Sequence, residues 1–121
     1  MMKKKSLHIL ADFRHCRGKQ EYFTSARLVR SKILQVVREA GFTIVASRFH
    51  RFGDGGITGI IIVSESHITI HTWPEKLLVN VDVFFCNYSA DNSKKGRNVF
   101  QYLRGLYKPA RKVKPLEVWR A

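Results

Sequence analysis

The stretch from Ile57 to Cys86 constrains the fold most. Ile57 to Val63 is almost wholly apolar. Ile68 and Ile70 then alternate with His67, Thr69 and His71, and Leu77 to Cys86 carries Val79, Val81 and Val83 on one side. β-branched residues at a period of two read as strands, and short polar breaks between such runs read as turns. The breaks are Ser64-Glu65-Ser66 and Trp73-Pro74-Glu75. Both are of hairpin length, so neighbouring strands must run antiparallel. The unbroken apolar character of Ile57 to Val63 predicts a strand buried on both faces.

The flanks complete one domain. Ser6 to Phe13 alternates as a strand. Glu21 to Ala40 places Tyr22, Ala26, Val29, Ile33, Val36 and Ala40 at spacings of three and four, the stripe of an amphipathic helix. Gly41 sits where a helix stops. Phe42 to Phe52 reads as a strand closed by the turn Gly53-Asp54-Gly55-Gly56. Ser89, Asp91 and Asn92 offer caps for a second helix carrying Val99, Phe100, Leu103, Leu106 and Tyr107. Gly96 and Gly105 weaken that helix and Pro109 stops it. Lys114 to Arg120 reads as a last strand. The predicted order is β-α-β-β-β-β-α-β. The predicted fold is an α+β two-layer sandwich, a mostly antiparallel sheet with two helices on one face, as one domain over residues 1–121.

Length and composition narrow the function classes. The chain has 121 residues, 45% hydrophobic and 26% charged, ordinary globular usage. No apolar run reaches the 18 or so residues of a membrane span. Two cysteines, Cys16 and Cys86, cannot build a disulfide framework, which suits a reducing cytoplasm. The net charge of +13 is uneven. Residues 1–40 carry ten basic and three acidic groups, and residues 94–121 carry nine and one. The middle carries three basic and five acidic groups. Basic flanks could attract polyanions, so a basic nucleic-acid-binding module is one alternative. Against it, no aromatic-rich RNA-binding signature is present and the central segment is not basic.

The unusual chemistry lies in Ser64-Glu65-Ser66-His67 through His71-Thr72-Trp73-Pro74-Glu75, followed by Cys86. His67 and His71 would share a helix face, but the β-branched residues around them favour a strand. Four strand residues span roughly 13 Å, too far for two ligands of one zinc ion; no metal is expected. No glycine elbow surrounds Ser64 or Ser66, so a Ser-His-acid hydrolase gains little support. Taken singly, these residues suit a solvated sheet face. Taken together with Phe49-His50-Arg51-Phe52, Gly59, Asp82, Phe84 and Cys86, the string resembles the small prokaryotic S-adenosylmethionine decarboxylases, which are pyruvoyl-dependent.

That resemblance implies a proenzyme that cuts itself between Glu65 and Ser66, giving a β chain of residues 1–65 and an α chain of residues 66–121. Ser66 would become the pyruvoyl group, the self-derived cofactor that forms a Schiff base with substrate. It further implies His71 as processing base, Thr58 as processing support at a position where many relatives carry serine, and Cys86 as proton donor. Phe52, Trp73 and Glu75 would bind substrate, the aromatics near the sulfonium and adenine and the carboxylate on the ribose hydroxyls. The family's sites lie at a two-fold interface, which implies a homodimer. The implied reaction is decarboxylation of S-adenosylmethionine to the aminopropyl donor for spermidine, with arginine or ornithine as alternative substrates of the same chemistry. Lys76-Leu77-Leu78 departs from a more glycine- and aromatic-rich stretch in relatives. Cys16 has no assigned role beyond packing.

Overall fold

The computed structural model describes residues 5–64, 66–87, 90–110 and 113–121. Six strands form one sheet: β1 (Ser6–Phe13), β2 (Ile44–Arg51), β3 (Ile57–Val63), β4 (Ser66–Trp73), β5 (Leu78–Phe85) and β6 (Leu116–Arg120). Their order is β2-β3-β4-β5-β1-β6, and every neighbouring pair is antiparallel. The three hairpins β2-β3, β3-β4 and β4-β5 follow from the short polar breaks. The helices α1 (Glu21–Thr24), α2 (Ala26–Glu39) and α3 (Ser93–Tyr107) complete the fold, and α2 and α3 form the second layer.

The pleat sorts residues between the layers. Leu7, Ile9 and Phe13 of β1, Val79, Val81, Val83 and Phe85 of β5, and Ile68 and Ile70 of β4 are all buried. They meet Val29, Ile33, Leu34 and Val37 from α2 and Val99, Phe100, Leu103 and Tyr107 from α3. Gly96 owes its place in α3 to this packing. A Cβ there would come within 2.7 Å of the Phe85 ring. Gly59 is similar, since Phe49 lies across it and a Cβ would sit 2.3 Å from the ring.

Three expectations change. The helix expected over Glu21 to Ala40 is interrupted at Ser25, whose backbone is extended and whose hydroxyl accepts the Leu28 N–H at 3.2 Å. Ser25 is thus an N-cap inside the predicted stripe, and α2 starts afresh after it. Of the three proposed caps for the second helix, Asn92 takes the cap position but its side chain donates to the Cys86 carbonyl at 2.9 Å instead of capping the helix, and the Asp91 carboxylate accepts the Ser93 N–H. Ser89 lies outside the described residues. Finally, β3 is buried on one face only. Ile57, Ile61 and Val63 are inside, whereas Ile60 is 39% and Ile62 43% exposed. The helices cover one side of the sheet, and among the described residues nothing covers the other.

A short 3-10 turn, Pro74–Lys76, joins β4 to β5 and ends at Leu77. Leu77 has φ 49° and ψ 42°, the left-handed region that disfavours a Cβ, and its side chain is exposed. Leu77→Gly is expected to raise stability by about 0.5–1 kcal/mol, the strain relieved less the added freedom of the unfolded chain. Thermal melts should show a higher midpoint; a lower one would mean that Leu77 packs usefully.

Candidate active site

Ser66 opens β4 and pairs with Val63 on β3 and Phe85 on β5. Its Oγ accepts the backbone N–H of Cys86 at 2.6 Å, which ties the serine to the end of β5. Cys86 is half-buried and unpaired by any disulfide. Glu65, the other side of the expected cleavage point, lies outside the described residues. Ser66 and Cys86 therefore share one end of the sheet.

The other expected site residues collect at the opposite end. Thr58 pairs with His71 across β3 and β4, and Thr58 Oγ1 is hydrogen-bonded to His71 Nδ1 at 2.9 Å. That bond leaves Nε2 of His71 for proton exchange. Trp73 ends β4 on the same side of the pleat as His71. Glu75 follows in the 3-10 turn and is exposed. Phe52 leaves β2 at the turn closed by the Phe52 N–H to Gly56 carbonyl bond of 2.8 Å. Its ring is 47% exposed and meets His50 edge-on at 4.6 Å. Lys76 Nζ lies 5.3 Å over the Trp73 ring, so that face already accepts a cation.

The two groups are far apart within one chain. Five residues of extended strand separate Ser66 from His71, about 16 Å at strand spacing. A base must come within hydrogen-bond reach of the proton it moves. Within one chain the two groups stand at opposite ends of the sheet, Ser66 on the Val63 and Phe85 side of the pleat and His71 and Trp73 on the uncovered side.

Several residues of this face escaped the sequence reading. Trp73 Nε1–H donates to Asn80 Oδ1 at 2.7 Å, and Asn80 Nδ2 donates to Asp12 Oδ1 at 2.7 Å. This chain fixes the plane of the indole. His8 Nε2 is hydrogen-bonded to Asp82 Oδ1, while Thr69 Oγ1 donates to Asp82 Oδ2 at 3.3 Å. His67 joins this cluster rather than His71. Alternation already put His8 and Asp82 on a polar row, but their partnership spans 74 residues and needs the β1-β5 register.

The family model for S-adenosylmethionine decarboxylase matches residues 7–120 of the chain. An S-adenosylmethionine decarboxylase proenzyme of Thermotoga petrophila is 37% identical over 110 residues, covering 91% of this chain and 80% of that protein. One of Archaeoglobus fulgidus is 37% identical over 102 residues, covering 84% and 86%. The crystal structure of the adenosylmethionine decarboxylase from Aquifex aeolicus superposes with a TM-score of 0.84 at 28% identity, covering 99% of this chain and 93% of that one.

The two thiols differ in environment. Cys16 is buried, its Sγ–H points to the Phe13 carbonyl at 3.3 Å, and burial pushes its pKa up to about 11. The thiolate is the reactive form, so Cys16 stays protonated and shielded at pH 8. Iodoacetamide at pH 8 should label Cys86 in the native protein and both cysteines only in denaturant, as read by peptide mass. Native labelling of Cys16 at the rate of Cys86 would contradict this placement.

Proposed function

The chain belongs to the S-adenosylmethionine decarboxylase family, and on that premise we propose that it is a self-processing decarboxylase of S-adenosylmethionine whose sites are completed between two copies of the chain. The observation that carries the two-chain reading is the separation of Ser66 and Cys86, at one end of the sheet, from Thr58, His71, Trp73 and Glu75, at the other. A two-fold axis lying between two such faces and running across the strands reverses strand direction. The Ser66 end of one copy then meets the His71 end of the other, and two equivalent sites form. Stacked sheets pack about 10 Å apart, close enough for side chains of both to meet. Ile60 and Ile62 supply the apolar surface such stacking needs.

Processing follows from the chain's own groups. The Ser66 hydroxyl attacks the Glu65 carbonyl carbon, and the amide becomes an ester with a free amine on residue 66. A base removes the Cα proton of residue 66. The Cβ–Oγ bond breaks, and Oγ leaves as part of the new Glu65 carboxylate. The dehydroalanine left behind tautomerises to an imine, and water releases ammonia to leave a pyruvoyl group. His71 of the second copy, held through Nδ1 by Thr58, is the base. The position of the Ser66 hydroxyl at the head of a strand, anchored to the Cys86 amide, suits a serine that becomes a chain end facing Cys86.

The pyruvoyl group supplies a carbonyl that takes up the substrate amine and the electron pair released with carbon dioxide. Cys86 then returns a proton to the substrate carbon, since a thiol can donate near neutral pH. Phe52 and Trp73 lie against the sulfonium and adenine, the substrate cation taking the place that Lys76 holds over the indole. Glu75 accepts from the two ribose hydroxyls, which distinguishes this substrate from arginine or ornithine. The product is the aminopropyl donor used to make spermidine.

Two experiments test the reading. Denatured protein should give two chains of about 7.5 and 6.5 kDa from the 14.0 kDa precursor. The smaller should have no free amine at its start, and Ser66→Ala should stay whole. A wild-type chain that remains whole on long incubation would overturn the proposal. The second concerns the shared site. His71→Ala alone should not cleave. Co-expressed with Ser66→Ala, which keeps a working His71, about half of the His71→Ala chains should be cleaved, as random pairing of two copies requires. No rescue would place the base within the same chain or elsewhere.

A further inference from the structure

On the uncovered face, His8 on β1 and His67 on β4 flank Phe84 of β5 in a single row across three strands. Both rings contact Phe84, at centroid distances of 5.2 and 5.5 Å. Asp82 is the next residue along β5 on that face. Its Oδ1 takes the His8 Nε2–H, and its Oδ2 accepts from Thr69 and lies 3.6 Å from His67 Nε2. One carboxylate thus meets side chains from both neighbouring strands. The nitrogen and oxygen atoms lie within 4.8 Å of one another, as metal ligands would. But the imidazole nitrogen that faces Asp82 from His8 is spent as an N–H donor, and each carboxylate oxygen already accepts a hydrogen bond, so the cluster meets its polar needs within itself.

Its position gives it a use that rests on the self-cleavage proposed above. Before cleavage, residue 66 is held by strand pairing with Val63 and Phe85, by its peptide bond to Glu65 and by its hydroxyl on the Cys86 amide. Cleavage removes the last two, because Oγ leaves with Glu65, and only strand pairing remains at residue 66 itself. A new chain end frays unless something ties it down. His67 is then the first side chain of the downstream chain, and Asp82 sits four residues before Cys86 on the adjacent strand. We propose that Asp82 is a positioning residue that, through His67, holds the new chain end in register with Cys86 after the peptide bond is gone. His8 and Thr69 fix the carboxylate so that it can do so. Misplacement of a reacting group by about 1 Å can cost about 10²-fold in rate, which is what the clamp prevents.

The test compares cleaved and uncleaved protein. Asp82→Asn is made in the wild-type chain and in Ser66→Ala, which keeps the peptide bond. Asp82→Asn should lower the melting temperature of the cleaved protein more than that of Ser66→Ala. Hydrogen exchange at the amides of residues 67–69 should quicken about tenfold or more in the cleaved form only. Self-cleavage should persist, and kcat should fall about 10- to 10²-fold with KM within about twofold. His67→Phe keeps the ring on Phe84 but loses the N–H. It should show the same dependence on cleavage, and it supplies the comparison if Asp82→Asn does not fold. Equal effects on melting and exchange in both backgrounds would make Asp82 a plain structural residue and overturn the clamp. A wild-type chain that never cleaves would instead remove the premise, and the mass measurement reports that separately.

Discussion

The pleat of the four central strands governs the rest of the molecule. Each residue of β3, β4, β5 and β1 is committed to one face, and the register locks the faces together across the sheet. A slip of one residue would exchange them. With α2 and α3 packed on one side, the core rows of Leu7, Ile9, Ile68, Ile70, Val81 and Val83 are sealed. The other side is therefore free to hold His8, Asp12, Thr58, His67, His71, Trp73, Asn80 and Asp82 without burying polar groups inside the chain. Polar side chains collect on this second side because the first already supplies the stability.

The same geometry limits what one chain can do. A strand is a ruler of about 3.3 Å per residue, and it cannot fold back to join groups five residues apart. The turn at Ser64 and the turn at Pro74–Lys76 stand at opposite ends of that ruler. Ile60 and Ile62, exposed in the single chain, lie between those ends on β3. In the proposed pair of chains, the apolar contact and the joining of the two residue groups would therefore use the same surface.

Much of this was legible in the amino-acid order, for reasons that can be named. The β1 and β3 bounds read correctly because alternation and apolar runs end at charged or glycine-rich breaks. The antiparallel order of β2 to β5 read correctly because the connections are too short for crossovers. What failed needed information from elsewhere in the fold. Ser25 looked like one polar residue inside a helical stripe, and only its extended backbone shows it to be a cap. Ile60 and Ile62 looked buried because composition cannot tell a covered face from one left open. The residues of the expected site came from a motif, whereas the Trp73-Asn80-Asp12 chain and the His8-Asp82 pair depend on strand order and had no local signal.

The uneven charge is consistent with this division of faces. Arg27, Arg30 and Arg38 on α2 and Lys94, Lys95 and Arg104 on α3 belong to the helical layer, which is turned away from the uncovered sheet face. The acidic groups Asp12, Asp82 and Glu75 belong to the strands and turn on the other side. A sulfonium substrate carries positive charge and would be repelled by a surface at +13 if that charge were spread evenly. Screening confines each exposed charge to roughly 8 Å at physiological salt, less than the thickness of a helix laid on a sheet. On the uncovered face itself, Lys76 over Trp73, Arg120 over Phe84 and Arg48 beside Ile60 stand among the acidic groups. A cation at that face therefore meets local charge of both signs rather than the net charge, and the basic helices behind the sheet do not oppose it.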